Sequence, residues 1–518
     1  MQEKAGLQIK TGTLSNEQTL PSVKLACVMV GLPARGKTYI ARKVARYLTW
    51  LGHRARIFNV GNYRRDAVGA VQPSEFFNPD NAEFTQRRTE VALLALDDMI
   101  RWLEELGDDG TSVGSLNHLP QFDQPRQSPS DHSRTPTSPS RNSPANATGS
   151  IVSGETGRGP ACVALYDATN STLDRRQLIE QKCRERGIAV MFIESICNDV
   201  DTVMANIREV KLSSPDYKGI DPDKAIDDFQ RRIAYYAKSY DTLTREELDG
   251  TISFVKLIDV GDQVLVHKVR GYIQSRIVYF LMNLNTTPRS FFFSRHGESL
   301  FNVQQRIGGD TSLSPRGQLF ARKLPEVILQ NLASDTLTIW TSTLKRTMET
   351  AQLLKFPKMQ WKQLDELDSG VCDGLTYEEI EQRFPNDFLE RDLDKFNYRY
   401  HSGESYRDLV NRLEPVILEL ERHREAKHSI LIIGHQAVLR CIYAYFLNIP
   451  HEELPYIKVP LHTVVKLTPK AYGCEEVRFA VDVPAVDTHR ERPEILSPRQ
   501  QVSPEKTHSN SLSNLTHQ

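Results

Sequence analysis

Two stretches of this chain set phosphate-handling side chains where a backbone can present them. The first is Gly31–Thr38, GLPARGKT, which fills every position of the pattern G-x-x-x-x-G-K-[ST]. In such a loop the backbone N–H groups, together with the start of the next helix, cradle a polyphosphate. Lys37 would reach the β/γ-phosphates and the Thr38 hydroxyl would hold Mg²⁺, with Gly31 and Gly36 bounding the turn. The second stretch is Phe291–Asn302, FFFSRHGESLFN, where an apolar run stops at Arg295-His296-Gly297. An imidazole beside a guanidinium suits phosphoryl transfer, because the ring nitrogen attacks phosphorus while the cation neutralises the oxygens. Gly297 lets the backbone bend there and leaves room for a ligand.

These groups need strand ends to carry them. Leu25–Val30 (LACVMV) reads as a buried strand, and Tyr39–Gly52 as an amphipathic helix. The first motif therefore has the strand–loop–helix setting that phosphate binding requires. A second strand is expected at Arg56–Val60, running into the segment Gly61–Arg65, and a long helix at Asn81–Leu106. Ala161–Tyr166 is another buried strand, ending at Asp167. A carboxylate at the C-terminal end of a parallel strand lies at the ligand edge of such a sheet. Asp167 would there join the Mg²⁺ shell or take a proton from an attacking hydroxyl, and it could also cap the turn into the helix Leu173–Arg186. Strands at Ala189–Ile193 and Ser253–Val260 complete a mostly parallel pattern.

In the second half, Leu337–Ser342 reads as a strand that brings Arg346 to the ligand edge. Ser429–Ile433 reads as a strand that ends in Gly434-His435. Asn302 and Arg306-Ile307-Gly308-Gly309 lie in a loop able to wrap a phosphate, and Glu366 can supply a leaving-group proton. If the strands before His296 and His435 are neighbours, two histidines and two arginines share one pocket. His401, His423, His428 and His462 lack that setting and read as exposed or structural.

Composition narrows the class. At 518 residues the chain is long enough for at least two domains. Its 65 basic and 66 acidic side chains leave a net charge of −1, which argues against a nucleic-acid or membrane partner. No apolar run approaches the ~20 residues a membrane span needs, and the N-terminus lacks a basic-then-apolar signal, so a cytoplasmic protein is expected. Seven scattered cysteines without C-x-x-C spacing read as reduced thiols. Gly107–Gly159 is rich in Ser, Pro, Asn, Gly and Thr, and is expected to be a disordered insertion. It carries Ser128, Thr135, Ser138 and Ser143 before prolines, which makes phosphorylation by regulatory protein kinases plausible. An anionic acceptor beside the phosphate loop needs counter-charges, for which Arg64, Arg65, Arg88, Lys211 and Arg232, with Tyr236, are the candidates.

The motifs GLPARGKTYI, YDATN, SSPDY, QSRIVY, RHGES, RIGGD, LTYEEI, GHQAVLRC and PLHTV occur in this order. With them the chain resembles the bifunctional 6-phosphofructo-2-kinase/fructose-2,6-bisphosphatase family from about Val23 to Arg492, outside the insertion. The resemblance implies an N-terminal phosphate-loop α/β kinase domain with a mostly parallel sheet. A phosphoglycerate-mutase-like histidine-phosphatase α/β domain follows. Boundaries are expected at 1–22 (flexible extension), 23–288 (kinase, containing the 107–159 insertion), 289–485 (phosphatase) and 486–518 (disordered regulatory tail). It implies ATP and Mg²⁺ as cofactors, fructose 6-phosphate and fructose 2,6-bisphosphate as ligands, and a homodimer. It makes Asp167 and Cys197 part of the kinase catalytic centre and Asn206 a nucleotide contact. Arg65, Arg88, Thr169, Lys211, Arg232 and Tyr236 match positions around fructose 6-phosphate. His296 is similar to the phosphorylated nucleophile and Glu366 to the general acid. Arg295, Asn302, Arg346 and His435 match the 2-phosphate pocket. Tyr377, Arg391, Lys395, Tyr406, Gln436 and Arg440 match the 6-phosphate and sugar contacts.

Three departures stand out. The insertion is longer than the family's usual connection, which costs little in closure entropy at ~0.6 kcal/mol per doubling of length. Asn62 replaces a larger polar residue. The tail has Ser497 and Ser503 before prolines but no Arg-Arg-x-Ser site. A nucleic-acid end-healing kinase/phosphatase also pairs these two motifs, and a catalytically silent scaffold would keep both folds. The neutral charge balance speaks against the first and the intact motif residues against the second.

Overall fold

The computed structural model describes residues 23–108, 160–208, 214–285, 289–332, 336–422, 428–470 and 473–493. Lys211, His423, the residues Ser128, Thr135, Ser138, Ser143, Ser497 and Ser503 singled out before prolines, the expected extension and nearly all of the expected insertion lie outside them. Two six-stranded sheets organise the described residues.

The first sheet contains β1 (Lys24–Val30), β2 (Arg54–Asn59), β3 (Cys162–Asp167), β4 (Ala189–Ile196), β5 (Phe254–Ile258) and β6 (Gln263–His267), in the order β2-β3-β1-β4-β5-β6. All its pairings are parallel except β5–β6. β1 lies at the centre with helices over both faces, which is why it reads as an unbroken apolar run rather than an alternation. The expected mostly parallel sheet is present, with β6 as an added antiparallel edge. The segment Gly61–Arg65 that follows the second strand lies on a helix, Val60–Val68, which carries Arg64 and Arg65. That helix forms because the Asn59 side chain caps it by accepting the Asn62 N–H.

The second sheet contains β7 (Phe291–Arg295), β8 (Leu337–Thr341), β9 (Lys358–Gln360), β10 (Ser429–Gly434), β11 (Thr463–Lys470) and β12 (Gly473–Ala480), in the order β12-β11-β7-β10-β8-β9. β7 and β10 are parallel neighbours, and their register sets Gly434 opposite Arg295. The antiparallel β11–β12 pair extends the β7 side. Val486–Pro493, expected at the start of a disordered tail, instead pack along this unit, with Val486 N–H donating to Glu298 and Arg490 pairing with Asp392.

The helix Lys37–Trp50 joins the two units. Ile40, Ala41, Val44 and Leu48 face its own sheet, at the spacing of one helical face. Farther along, the Trp50 indole N–H donates to the Cys441 carbonyl at 2.9 Å. Lys43 and Arg46 reach Glu421 at 2.8 and 3.3 Å, and the Tyr445 hydroxyl donates to the same carboxylate at 2.6 Å. Burial pushes the Glu421 carboxyl up, but Lys43 and Arg46 outweigh it and hold the group at about 2. Arg276 forks onto Glu414 at 2.8 and 2.6 Å. One apolar core runs through both units, including Cys27, Tyr47, Phe280, Phe293 and Phe446.

Candidate active sites

The phosphate loop is held from below. Gly31 has φ +134°, and a Cβ there would meet the Ser195 carbonyl oxygen at 2.4 Å, so no side chain fits. Gly31 N–H donates to the Thr169 carbonyl at 3.0 Å, and Asn206 Nδ2 donates to the Ala34 carbonyl at 3.1 Å. Gly36 caps the following helix without a side-chain acceptor, so the first-turn amides are left for a ligand. Lys37 Nζ donates to the Leu32 carbonyl at 2.7 Å, folded back along the loop. Lys37, Thr38, Asp167, Cys197 and Asn206 line one cavity of about 2090 Å³. Asp167 is buried and accepts from Asn59 Nδ2, its partner across the β2–β3 ladder. Burial pushes the Cys197 thiol up, so a neutral thiol lines the cavity.

The same cavity takes in the basic candidates. Arg64 forks onto Asp216 at 2.8 and 2.7 Å, Arg65 reaches that carboxylate at 3.4 Å, and Arg232 reaches it at 3.6 Å. Arg232 also donates to Asp228 at 3.0 Å and lies 4.5 Å over the Phe77 ring. Arg88 donates to the Phe76 carbonyl at 2.7 Å, and the Tyr236 ring packs against Phe77 at 5.9 Å. Three guanidiniums gathered by Asp216 and Asp228 keep a net positive charge in a fixed geometry, as an anion site requires. Asp216 went unnoticed in the sequence because its role is to collect arginines from two distant segments, the helix that carries Arg64 and Arg65 and the one that carries Arg232.

In the second unit the β7–β10 pairing brings the two histidines together. His296 N–H donates to the Gly434 carbonyl at 3.0 Å, and the imidazole centroids of His296 and His435 lie 5.2 Å apart. His296 Nδ1 is 2.7 Å from the Gly297 carbonyl, which can only accept. Nδ1 therefore carries the proton, and Nε2 keeps its lone pair. Burial, followed by Arg346 and Arg295, holds His296 well below the usual imidazole range, so the ring is neutral. His435 is likewise neutral and bonds the Ser342 hydroxyl through Nε2 at 2.8 Å. Arg295 donates through Nη1 to the Val459 carbonyl at 3.1 Å and to the Thr488 hydroxyl at 2.7 Å. Its buried Nε has no hydrogen-bond partner among the described residues.

Arg346 donates to the Gly309 carbonyl at 2.6 Å, and Asp373 closes the Gly308-Gly309 turn by accepting the Gly309 N–H at 2.8 Å. Asn302 uses Oδ1 to accept from the Ser299 N–H and hydroxyl, both at 3.0 Å. Glu366 accepts the backbone N–H groups of Gln436 and Ala437 at 3.1 and 3.2 Å, which fixes it beside His435 at the start of the helix Gln436–Leu447. Gly297 differs from expectation. A Cβ there would meet the Gly317 carbonyl oxygen at 2.6 Å, so the glycine lets two backbone segments touch and does not serve to admit a ligand. Thr350, unnoticed in the sequence, accepts the Gly297 N–H at 2.9 Å. His462 is buried and structural, accepting the Glu298 N–H at 3.0 Å.

A second set of cations lies in the same unit. Arg391 donates to the hydroxyls of Tyr400 at 2.9 Å and Tyr377 at 3.4 Å. Arg440 donates to the Tyr406 hydroxyl at 3.0 Å and the Ile457 carbonyl at 2.8 Å. Lys395 donates to the Pro455 carbonyl at 3.2 Å. Gln436 has a buried Nε2 without a hydrogen-bond partner among the described residues.

These two sites define an enzyme class in which a phosphate-loop kinase and a histidine phosphatase share one chain. Residues 13–114 and 150–288 match the family model described as 6-phosphofructo-2-kinase, and residues 291–482 match that of the histidine phosphatase superfamily (branch 1). A 6-phosphofructo-2-kinase/fructose-2,6-bisphosphatase from Gallus gallus is 47% identical over 90% of this chain and 87% of its own. The human 6-phosphofructo-2-kinase/fructose-2,6-bisphosphatase 4 shows the same identity and coverage. A fructose-2,6-bisphosphatase from Saccharomyces cerevisiae is 43% identical over 93% of each chain. The chain belongs to the 6-phosphofructo-2-kinase/fructose-2,6-bisphosphatase family.

Proposed function

We propose that this chain phosphorylates fructose 6-phosphate at O2 with ATP, and hydrolyses the fructose 2,6-bisphosphate so formed. The observation that carries this reading is a complete phosphate loop and a paired His296–His435 pocket in one chain. In the kinase, the loop amides and Lys37 bind the ATP phosphates. The Arg64, Arg65, Arg88 and Arg232 group binds the sugar phosphate, with Thr169 and Tyr236 beside it. The sugar 2-oxygen attacks the γ-phosphorus, the bond to ADP breaks, and Asp167 accepts the hydroxyl proton. A magnesium ion fits here, because Thr38 and Asp167 are oxygen donors on the same cavity. When bound it supplies charge neutralisation to the polyphosphate.

In the phosphatase, Nε2 of His296 attacks the 2-phosphorus while Arg295, Arg346, Asn302 and His435 hold the oxygens. The P–O2 bond breaks, and Glu366 gives its proton to the departing sugar oxygen. Water then attacks the phosphohistidine, returns a proton to Glu366 and releases inorganic phosphate. Arg391, Lys395, Arg440, Tyr377, Tyr406 and Gln436 hold the sugar and its 6-phosphate. The assembly proposed is a homodimer, which sedimentation of the purified chain would check.

The test is to measure both reactions on one preparation. Lys37→Ala is expected to abolish the kinase and keep the phosphatase, and His296→Ala to do the reverse. Loss of both activities in either folded variant would refute two separate sites.

A further inference from the structure

After β12 the chain turns back across the phosphatase unit as a strap. Val481 N–H donates to the His462 carbonyl at 3.0 Å, and Val486 N–H to Glu298 at 2.9 Å. Thr488 then accepts from Arg295, and Arg490 Nη2 pairs with Asp392 at 2.9 Å. The strap thus runs from the nucleophile loop to the second cation cluster. Its Arg490 joins that cluster closely. The Arg391 and Arg490 guanidiniums each lie 5.1 Å from the centroid of the Tyr377 ring, and Arg490 also lies 4.6 Å from the Phe388 ring.

The charges there do not balance. Arg391 and Arg490 share Asp392, at 3.0 and 2.9 Å, so two guanidiniums meet one carboxylate. Lys395 and Arg440 are held by carbonyls and hydroxyls. Burial of so many like charges is costly unless an anion joins them. Burial and then Arg391, Arg440 and Arg490 push the Lys395 ammonium down to about 6, as expected of a cation crowded by others. Arg490 keeps about a third of its side chain exposed (32%), unlike the buried Arg391 (6%), so it has room to turn onto a ligand.

We propose that Arg490 is a further substrate-binding residue, which closes the 6-phosphate subsite from the strap. Asp392 holds its guanidinium ready until the phosphate arrives. The inference rests on the assignment of Arg391, Lys395 and Arg440 to the 6-phosphate made above. It also accounts for the strap's path, since the residues before Arg490 tie it to Arg295 and Glu298 beside the nucleophile.

The test compares fructose 2,6-bisphosphate with fructose 2-phosphate, which lacks the 6-phosphate, each measured as a substrate or as a competitor. Arg490→Ala is expected to raise KM for the bisphosphate about tenfold, the scale of one charge-assisted hydrogen bond, with kcat nearly unchanged. Its affinity for fructose 2-phosphate should stay at the wild-type value, and Arg490→Lys should recover part of the loss. Kinase activity of the same preparations reports on folding. Arg391→Ala is the reference variant. If it weakens the bisphosphate selectively and Arg490→Ala does not, the proposal is overturned and the subsite assignment stands. If Arg490→Ala weakens both ligands equally or lowers kcat, the residue only anchors the strap, and the proposal is again overturned. If Arg391→Ala also treats the two ligands alike, the 6-phosphate assignment itself falls.

Discussion

Lys395 should make bisphosphate binding depend on pH. Its side chain is buried, with Nζ 3.2 Å from the Pro455 carbonyl and 4.6 Å from the Tyr456 ring centroid. Burial and the surrounding arginines lower the ammonium from 10.5 to about 6. At about pH 7.5 the lysine of the free enzyme is therefore mostly neutral. Charging it there costs about 2 kcal/mol, at about 1.4 kcal/mol per pH unit. A phosphate beside it favours the charged form and raises its affinity for the proton. Binding then takes up close to one proton at that pH.

The sign follows directly. Below about 6 the lysine is charged both free and bound, so its contribution does not change with pH. Above about 6 the free enzyme loses the charge, and affinity falls by up to about tenfold per pH unit until the bound lysine also titrates. An arginine at this position stays charged throughout. The assay is KM for fructose 2,6-bisphosphate between about pH 6 and 8.5, in wild type and Lys395→Arg. Calorimetry in buffers of different ionisation enthalpy counts the proton. The substrate's own phosphate ionisation, near pH 6, is common to both proteins and cancels in the comparison. Equal slopes for the two enzymes, or no proton uptake by wild type, would refute the reasoning.

Glu366→Gln should slow formation of the phosphohistidine by about 10²–10⁴-fold, the usual contribution of a positioned general acid, read by rapid quenching with 2-labelled substrate. The acid limb of the phosphatase rate should lie below the ordinary histidine range near 6.5, because burial, Arg346 and Arg295 keep His296 neutral. Replacing Arg346 by methionine should move that limb upward in a pH–rate profile. Glu421→Ala leaves Lys43 and Arg46 buried without their carboxylate, and should cost about 3–5 kcal/mol of stability, seen as a lower unfolding midpoint in denaturant.

What could be read from the sequence was local. The loop Gly31–Thr38 and the pair Arg295-His296 announce themselves because strand, glycine and functional side chain are contiguous. The pairing of His296 with His435 could be stated only as a condition, since the contact of β7 with β10 spans the second half of the chain. Partners fixed by convergence left no local signal. Asp216 serves Arg64, Arg65 and Arg232, and Asp392 serves Arg391 and Arg490, but each is an ordinary surface-type acid when read alone. The helix Val60–Val68 was not legible because Gly61 and Asn62, directly after a strand, are poor helix formers. Its cap is supplied by Asn59, whose side chain points forward along the chain. The strap was missed for the opposite reason. From Val486 on its charged, sparsely apolar composition resembles a tail, and beyond the buried Val481 and Val483 its order comes from single contacts to Glu298, Arg295 and Asp392.

The two sites are chemically separate but do not sit on independent bodies. The helix that begins at Lys37 ends at Trp50, whose indole bonds the carbonyl of Cys441 on the helix that begins beside His435. Domains joined by a short linker and a wet interface move freely against one another. Here the interface is a continuous apolar core with buried Lys43–Glu421 and part-buried Arg276–Glu414 pairs. Removing one side chain of a single site, as in Lys37→Ala, should therefore stop one reaction only. Loosening this interface, as in Glu421→Ala, removes support from the frame that both sites share, and should lower the stability of both activities together.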